Sequence, residues 1–455
     1  MTLARFRTEA AATLHLGMPL IAAQLAQVSM GFVDAVMAGR LSPQDLAAVA
    51  VGANLFWPIA LAFMGLLMAI SPTVAHHFGA GRRHAIGHTV RQGLWMAAAV
   101  GVCGLIAVRS SPLLLSLAGI STELIPTTTG FLQAISWGIP GLCIYQALRS
   151  YSEGTSMTRP VMYTSITGLV ANIIGDYIFM YGKLGLPRLG AVGCGVASAI
   201  VMWMNAGMMS LYILTHRHYK PDGALSRFES PHWPEISALA RLGIPMSLGL
   251  FMEASLFGAV ALLMGTLGTT VVAGHQIALN VASITFMIPL GIGMAITVRV
   301  GQAMGRHDIN DARVAGFVGI SLAGTFMALA GICILLFPKS IAGIYTQDPA
   351  VRQMAVTLLF MAAIFQVSDG LQVSSLGALR GLKDTKVPMY ITVIAYWIVG
   401  MPLGYTLGIT LNGGARAMWV GIICGLTAAA VLLNTRFYLI TRTRTHAAST
   451  TERVV

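Results

Sequence analysis

Twelve apolar segments, each long enough to cross a lipid bilayer, follow one another along the chain. A helix needs about 18 or more apolar residues to cross a hydrocarbon core about 30 Å thick. Of all residues, 56% are hydrophobic and 10% are charged, whereas soluble domains have roughly 25% charged residues. The sequence therefore predicts an all-α membrane protein with transmembrane helices at about 14–38, 46–70, 92–110, 127–149, 160–182, 191–214, 239–265, 271–298, 315–337, 352–378, 387–411 and 416–439.

Several other classes of protein fit the sequence poorly. The first apolar run continues past Met37, which is too long for a signal peptide, so we expect it to be retained as a span. All 5 cysteines lie in apolar runs without a CxxC or Cys/His pairing, so they read as small buried hydrophobes. The net charge of +12 is scattered over short connections, which argues against nucleic acid as a partner. No clustered nucleophile set is visible, so we expect neither an enzyme nor a cofactor.

The distribution of basic residues predicts the orientation in the membrane. An even number of spans places both termini on one side. If that side is the cytoplasm, only 7 of the 28 Lys and Arg residues fall in outer connections, which is a strong positive-inside bias. These seven are Arg40, Arg109, Lys183, Arg188, Lys339, Arg352 and Arg416. We therefore expect both termini to be cytoplasmic.

The longest polar connection, "THRHYKPDGALSRFESPHWPE" at 215–235, divides the spans six and six. The second half repeats the first in a register of 226 residues, which aligns Gly17 with Gly243 and Asn54 with Asn280. A later match, "ALR" at 147–149 and 378–380, needs a small gap. Parallel repeats are a transporter architecture with the site at the repeat interface. The predicted organisation is an N-lobe at 1–214, a cytoplasmic linker at 215–238, a C-lobe at 239–441 and a cytoplasmic tail at 442–455.

Four of the 16 acidic residues lie well inside the predicted spans: Asp34, Asp176, Glu253 and Asp369. No Lys or Arg lies deep in any of these spans. An unpaired carboxylate at the centre of a bilayer costs at least about 2.5–3.5 kcal/mol, so such residues normally face a bundle interior or a wet cavity. We expect a mobile partner, which could be a proton, a metal cation or a cationic substrate. The alternative is a protonated carboxyl group that is hydrogen-bonded to a hydroxyl group or to the backbone.

Helical spacing groups some of these residues. Gln27 and Asp34 are seven apart, Asn172 and Asp176 are four apart, and each pair shares one helix face. In the repeat register Glu253 falls on the neutral Gln27. A hard cation such as Na⁺ prefers several oxygen ligands, whereas a carboxyl group with a raised pKa would equally suit H⁺. The residue types therefore do not decide between Na⁺ and H⁺ as the bound ion.

Five segments together resemble the multidrug and toxic compound extrusion family, and within it the bacterial NorM-like branch. The resemblance covers essentially the whole chain. It implies two pseudo-symmetric six-helix bundles around a central cavity, and cation-coupled export of organic cationic drugs or dyes across the bacterial inner membrane by alternating access. The segments are "GMPLIAAQLAQVSMGFVDAVMAGRLSPQDLAAVAVG" (17–52), "ANIIGDYIFMYGKLGLPRLGAVGCGVASA" (171–199), "EASLFGAVALLMGTLG" (253–268), "AGHQIALNV" (273–281) and "VSDGLQVSSLGALRGLKDTKVPM" (367–389).

The resemblance also implies roles for individual residues. Two positions depart from the family pattern, because Phe365 stands where some members have Tyr, and Asp176 where some have Asn. The implied Na⁺ ligands are Glu253 and Asp369. The implied ion-coupling residues are Glu253, Asp369, Asp34, Asn172 and Asp176, and the implied substrate contacts are Asp34, Asn54, Gln276, Asp348 and Asp369.

Alternative functions remain open from the sequence. A flippase for lipid-linked precursors, from the same superfamily, would be favoured by a strongly basic cavity, and the four acids argue against it. An integral-membrane enzyme or a channel fits less well, because neither clustered nucleophiles nor a pore-lining repeat is present. We expect a monomer embedded in the lipid bilayer, with Na⁺ or H⁺ as the coupling ion. For His275 we favour a hydrogen-bonded structural role over a proton relay.

Overall fold

A computed structural model describes residues 2–113, 115 and 121–452, which form helices and no strand within that range. The twelve predicted spans are helical apart from end residues and turns at 68–69 and 137–138, so the prediction of an all-α membrane protein is confirmed. The helices are α1 (Leu3–Leu41), α2 (Pro43–Leu67), α3 (Ile70–Gly79), α4 (Arg83–Ser110), α5 (Leu124–Ser136), α6 (Ile139–Gly154), α7 (Arg159–Tyr181), α8 (Ala191–Thr215), α9 (Trp233–Thr266), α10 (Thr269–Gly305), α11 (Ile309–Leu336), α12 (Pro338–Tyr345), α13 (Pro349–Gly381), α14 (Lys386–Thr410) and α15 (Gly414–Glu452).

Ten helical segments in the described part of the chain are long and apolar enough to cross a membrane. Two predicted spans fall outside this set. The segment at 127–149 is divided between α5 and α6 by a turn at Trp137 and Gly138. Pro140 lies in the first turn of α6, where its missing N–H is tolerated, whereas inside a longer helix it would break the hydrogen-bond ladder. The segment at 160–182 forms the continuous helix α7.

The chain forms two compact units. The N-unit comprises Ala22–Ser247, and the C-unit comprises the chain up to Ile21 together with the chain from Leu248 onward. The boundaries between the units therefore fall inside α1 and α9, whereas the sequence placed the lobe boundary at 215–238. The 39 residues of α1 extend over about 58 Å at 1.5 Å per residue, so one continuous helix is long enough to belong to both units.

The predicted linker at 215–238 belongs to the N-unit and is held there by hydrogen bonds. Asp222 is 3% exposed and accepts hydrogen bonds from Arg83 (3.1 Å) and from the hydroxyl of Tyr151 (2.8 Å). Further along, Glu229 accepts a hydrogen bond from Arg91 (2.7 Å). The hydrogen bonds from Arg91 and from the neighbouring histidine on α4 lower the pKa of Glu229 to about 2. Polar contacts therefore hold this connection against α4 and α6.

Close helix packing characterises the C-unit. The glycines Gly400, Gly404 and Gly408 line one face of α14, where the sequence predicts close approach of a neighbouring helix. A Cβ atom at Gly421 of α15 would lie 2.3 Å from the Cα of Gly404, so α14 and α15 approach closely at this face. Two stretches of α14, Ile394–Gly400 and Thr406–Thr410, are π-helical, which the sequence did not indicate.

Candidate functional site

Glu253 and Asp369 line the same cavity in the C-unit, although 116 positions separate them in the sequence. Glu253 lies on α9 and Asp369 on α13, where it is 4% exposed. The cavity has a volume of about 220 Å³. The other lining residues are apolar or aromatic except for one serine: Phe257, Leu279, Ala282, Ser283, Phe286 and Phe365. The structure therefore brings together the two acids that the sequence assigned to one ion site.

Tyr396 on α14 lies near the two acids but does not line the cavity. Its side chain is 0% exposed, and its hydroxyl has no hydrogen-bond partner among the described residues. The hydroxyl lies within electrostatic range of both Glu253 and Asp369. Phe365, which lines the cavity, has no hydroxyl, and no local pattern in the sequence indicates this tyrosine on α14. A lone tyrosine in an apolar span gives no signal by itself, because such residues are common.

Each unit also places an arginine near its acids. In the N-unit, Arg149 ends the predicted span at 127–149 and lines the cavity that Asp34 also lines. Its guanidinium pairs with Glu153 (2.7 Å) and donates to Gln24 (2.8 Å). In the C-unit, Arg380 interacts electrostatically with Glu253. These arginines are the matching ends of the two "ALR" segments.

The N-unit gathers a second set of polar side chains around Asp34. A carboxylate oxygen of Asp34, one of Asp176 and the sulfur of Cys194 lie within 4.8 Å of one another. Asp176 and Asn172 are both 0% exposed. Among the described residues, their side-chain polar atoms and one oxygen of Asp34 have no hydrogen-bond partner. The sequence treated Cys194 as an ordinary buried hydrophobe, because α8 carries it on a segment distant from both acids.

A cavity of about 120 Å³ gives access to Asp34. Gln27 lines the same cavity, as expected from its position two helical turns before Asp34. In the repeat register Gln27 is equivalent to Glu253, and each of the two lines the cavity of its own unit. The two halves of the chain therefore place a polar residue at equivalent sites, neutral in one half and acidic in the other.

The remaining predicted substrate contacts lie elsewhere. Asn54 on α2 and Gln276 on α10 are exposed, and neither lines one of the two cavities. Asp348 is exposed and caps the amino terminus of α13 by accepting hydrogen bonds from the backbone of Ala350 (2.8 Å) and Val351 (3.2 Å). Helix capping alone explains why a carboxylate stands at this position. A contact of these three residues with substrate stays a prediction.

His275 is buried on α10, and the indole N–H of Trp419 donates a hydrogen bond to its Nδ1 (3.2 Å). An indole nitrogen can only donate, so Nδ1 accepts and a neutral ring carries its proton on Nε2. The rings lie 5.7 Å apart in an edge-to-face arrangement. This geometry accounts for a structural histidine, and a relay role stays a prediction.

Two units of apolar helices, each with an acidic side chain on a small cavity, define the class of protein: a multi-pass membrane transporter. The MatE family model matches residues 19–178 and 245–406. The chain is 43% identical to a "Probable multidrug resistance protein NorM" of Shewanella oneidensis, over 95% of each chain. It is 42% identical to "Multidrug resistance protein MdtK" of Yersinia enterocolitica, over 95% of this chain and 96% of that one. The chain belongs to the MatE family, which confirms the resemblance and the prediction that it is not an enzyme.

Solved structures share the fold at low sequence identity. A transporter of the MOP superfamily from Pyrococcus furiosus matches with a TM-score of 0.89 and 20% identity, over 96% of this chain and 97% of that one. The eukaryotic MATE transporter AtDTX14 matches with a TM-score of 0.88 and 19% identity, over 97% and 99%. These likenesses support the fold class.

Proposed function

We propose that this protein is a cation-coupled multidrug efflux antiporter that exports cationic amphipathic compounds across the bacterial inner membrane by alternating access. The names of the relatives support multidrug export, and the positive-inside bias supports cytoplasmic termini. The coupling ion is Na⁺ or H⁺, and the protein acts as a monomer.

One observation carries the proposal: Glu253 and Asp369 line the same cavity in the C-unit. Two carboxylates there repel each other, and their charge is costly in a medium with a low dielectric constant. A cation that enters the cavity removes both penalties. Na⁺ would find the carboxylate oxygens and the hydroxyl of Ser283 as ligands, whereas protons would neutralise the acids directly.

The N-unit provides a second place for a mobile cation. The oxygens of Asp34 and Asp176 lie within 4.8 Å, and a proton or a cation between them relieves their repulsion. Asp34 lines the adjoining cavity, where its charge can hold an organic cation. Protonation of Asp34 would release that cation. Arg149 does not make this cavity strongly basic, because Glu153 balances its charge, and this disfavours the flippase alternative.

Coupling requires that the ion and the substrate prefer different conformations. A ligand changes the ratio of two states from 1:99 to 99:1 only if it binds one about 10⁴-fold more tightly, which is about 5.5 kcal/mol. The cost of two carboxylates in hydrocarbon, about 2.5–3.5 kcal/mol each, is of that size. The acid pair in the C-unit would supply this energy where one conformation solvates the two acids and the other does not.

Ethidium efflux from reconstituted vesicles with an imposed Na⁺ or H⁺ gradient tests the proposal. We expect one of the gradients to drive efflux by the wild type. We expect Glu253→Gln, Asp369→Asn and Asp34→Asn to lose most of it. Glu123→Gln is the matched control, because this acid is exposed at the start of α5. If neither gradient drove efflux, the antiporter proposal would fail. If the three variants transported ethidium like the wild type, the assignment of these residues to ion sites would be wrong.

The substrate-binding residues need a separate measurement. We propose that Asn54, Gln276 and Asp348, with Asp34 and Asp369, contact the substrate during transport. Alanine variants of Asn54 and Gln276 should raise the ethidium concentration for half-maximal efflux and leave ion dependence unchanged. Asp348→Asn separates two roles, since asparagine still caps a helix but carries no charge. Unchanged efflux in Asp348→Asn would restrict this residue to capping.

A further inference from the structure

The cluster of Asp34, Asp176 and Cys194 combines two carboxylates with a thiol in the N-unit. One donor atom from each lies within 4.8 Å of the other two. Cys194 and Asp176 are both fully buried, on α8 and α7. Acidic residues alone do not define a site. Here, however, both oxygens of Asp176 and the amide of Asn172 lack a hydrogen-bond partner among the described residues, so buried polar atoms stand ready for a ligand.

The types of donor indicate the class of ligand. Hard cations such as Na⁺, Mg²⁺ and Ca²⁺ prefer oxygen ligands, whereas a thiolate selects softer metals. Zinc accepts both types, with bonds of about 2.3 Å to sulfur and about 2.0–2.2 Å to oxygen. Two carboxylates and a thiolate would also compensate a divalent charge better than a monovalent one. A sulfur donor at this position is therefore an argument for a thiophilic divalent ion.

The distances suit such an ion after a small adjustment. Tetrahedral bonds of about 2.1 Å place neighbouring ligand atoms about 3.4 Å apart. The present separations of up to 4.8 Å exceed this by little more than 1 Å, which side-chain rotation can supply. Asn172 lies one helical turn before Asp176 and offers a fourth donor. Asp34 lines the cavity of the N-unit, so an ion reaches the cluster through it.

We propose that Asp34, Asp176 and Cys194 form a binding site for a thiophilic divalent cation of the zinc and cadmium class. A metal held there occupies the position of the coupling cation in the N-unit and stops transport. The block of transport rests on the function proposed above, whereas metal binding does not depend on it.

Cadmium titration of the purified full-length protein tests the binding. The thiolate-to-cadmium charge-transfer absorption reports a sulfur ligand directly. The exposed Cys103 and Cys333 are replaced by serine in every sample so that they cannot contribute. We expect a saturable band at one ion per chain, and its loss in Cys194→Ser. Loss of an outer-shell partner costs a metal site about 10–100-fold in affinity, so loss of a direct ligand should weaken cadmium binding by at least about tenfold.

Two further variants sharpen the test. Asp176→Asn should weaken cadmium binding and keep part of the band, because the thiolate remains. Cys143→Ser is the matched control, since Cys143 is equally buried but has no part in the cluster. The proposal is overturned if the band persists in Cys194→Ser, or if the folded parent protein shows no band. Thermal unfolding of each variant confirms that it is folded.

Transport provides the second measurement. Zinc or cadmium should inhibit ethidium efflux by the parent protein, and inhibition of Cys194→Ser should need at least about tenfold more metal, whereas magnesium should inhibit neither. Equal inhibition of both proteins would overturn the block at this site. If no gradient drove efflux at all, the proposed function would fail while the absorption titration still decided whether the metal site exists.

Discussion

The pair of Arg149 and Glu153 allows a sharp prediction about the cavity of the N-unit. The guanidinium and the carboxylate lie 2.7 Å apart on neighbouring turns of α6, and their side chains are 4% and 6% exposed. Arg149→Gln leaves a buried carboxylate without its partner. Breaking a buried ion pair in this way costs about 3–5 kcal/mol, mainly because the remaining charge is uncompensated.

The double variant Arg149→Gln, Glu153→Gln provides the rescue. It removes both charges, and neutral replacement of a buried pair is often close to neutral in stability. At about 2–4 °C per kcal/mol for a domain of 150–250 residues, the single variant should lower the melting temperature by on the order of 10 °C. The double variant should recover most of that loss. Arg306→Gln is a control, because its pair with Asp311 is exposed (44% and 43%) and surface pairs contribute about 0–1 kcal/mol.

Thermal unfolding of the detergent-solubilised protein, followed by intrinsic fluorescence, measures these effects. An equal loss in the single and double variants would refute the reasoning, since it would show that packing of the arginine stem and not charge pairing stabilises α6. A single variant as stable as the wild type would show that Glu153 finds another partner without cost.

Three further outcomes follow from contacts described above. Tyr396→Phe should raise the cation concentration for half-maximal efflux by about 5–30-fold, since losing a buried hydroxyl dipole near the two acids costs about 1–2 kcal/mol, whereas the exposed Tyr405→Phe should change nothing. Gly421→Val should destabilise the C-unit by at least about 1–3 kcal/mol in thermal unfolding, because its Cβ would collide with the backbone of Gly404. The pKa of Glu229 is lowered from 4.5 to about 2, so its contribution to stability is complete above pH 4.5 and lost as the pH falls towards 2. Glu229→Gln should therefore weaken the pH dependence of the melting temperature in that interval, and an unchanged dependence would contradict the assignment.

Some features of the candidate sites could be predicted from local sequence alone. A carboxylate in an apolar run, such as Glu253 or Asp369, is conspicuous because its cost does not depend on the rest of the fold. The shared face of Gln27 and Asp34 follows from helix geometry. Asp348 is instructive, because Asp followed by Pro is a helix-start signal, and the structure places it as the cap of α13. The family resemblance had given it a role in substrate binding, which the local pattern did not require.

Other features could not be predicted, because they depend on segments that are distant in the sequence. The sequence neighbours of Cys194 are those of an ordinary buried residue. Only the packing of α8 against α7 brings its sulfur close to Asp176. Tyr396 becomes notable only when α14 carries its hydroxyl near two acids. The linker reads as polar and solvated, yet Asp222 is buried because Arg83 and Tyr151 lie within hydrogen-bond distance.

By itself the sequence determined the helical class, the positions of the spans and the four acids that must find a partner within the membrane. These properties follow from hydrophobic length and from the cost of charge in hydrocarbon, which act residue by residue. The tertiary structure decided that Glu253 joins Asp369 and that Asp34 joins Asp176 and Cys194. Such neighbours depend on how separate helices pack, because no local pattern fixes which faces meet across about 100 residues of chain.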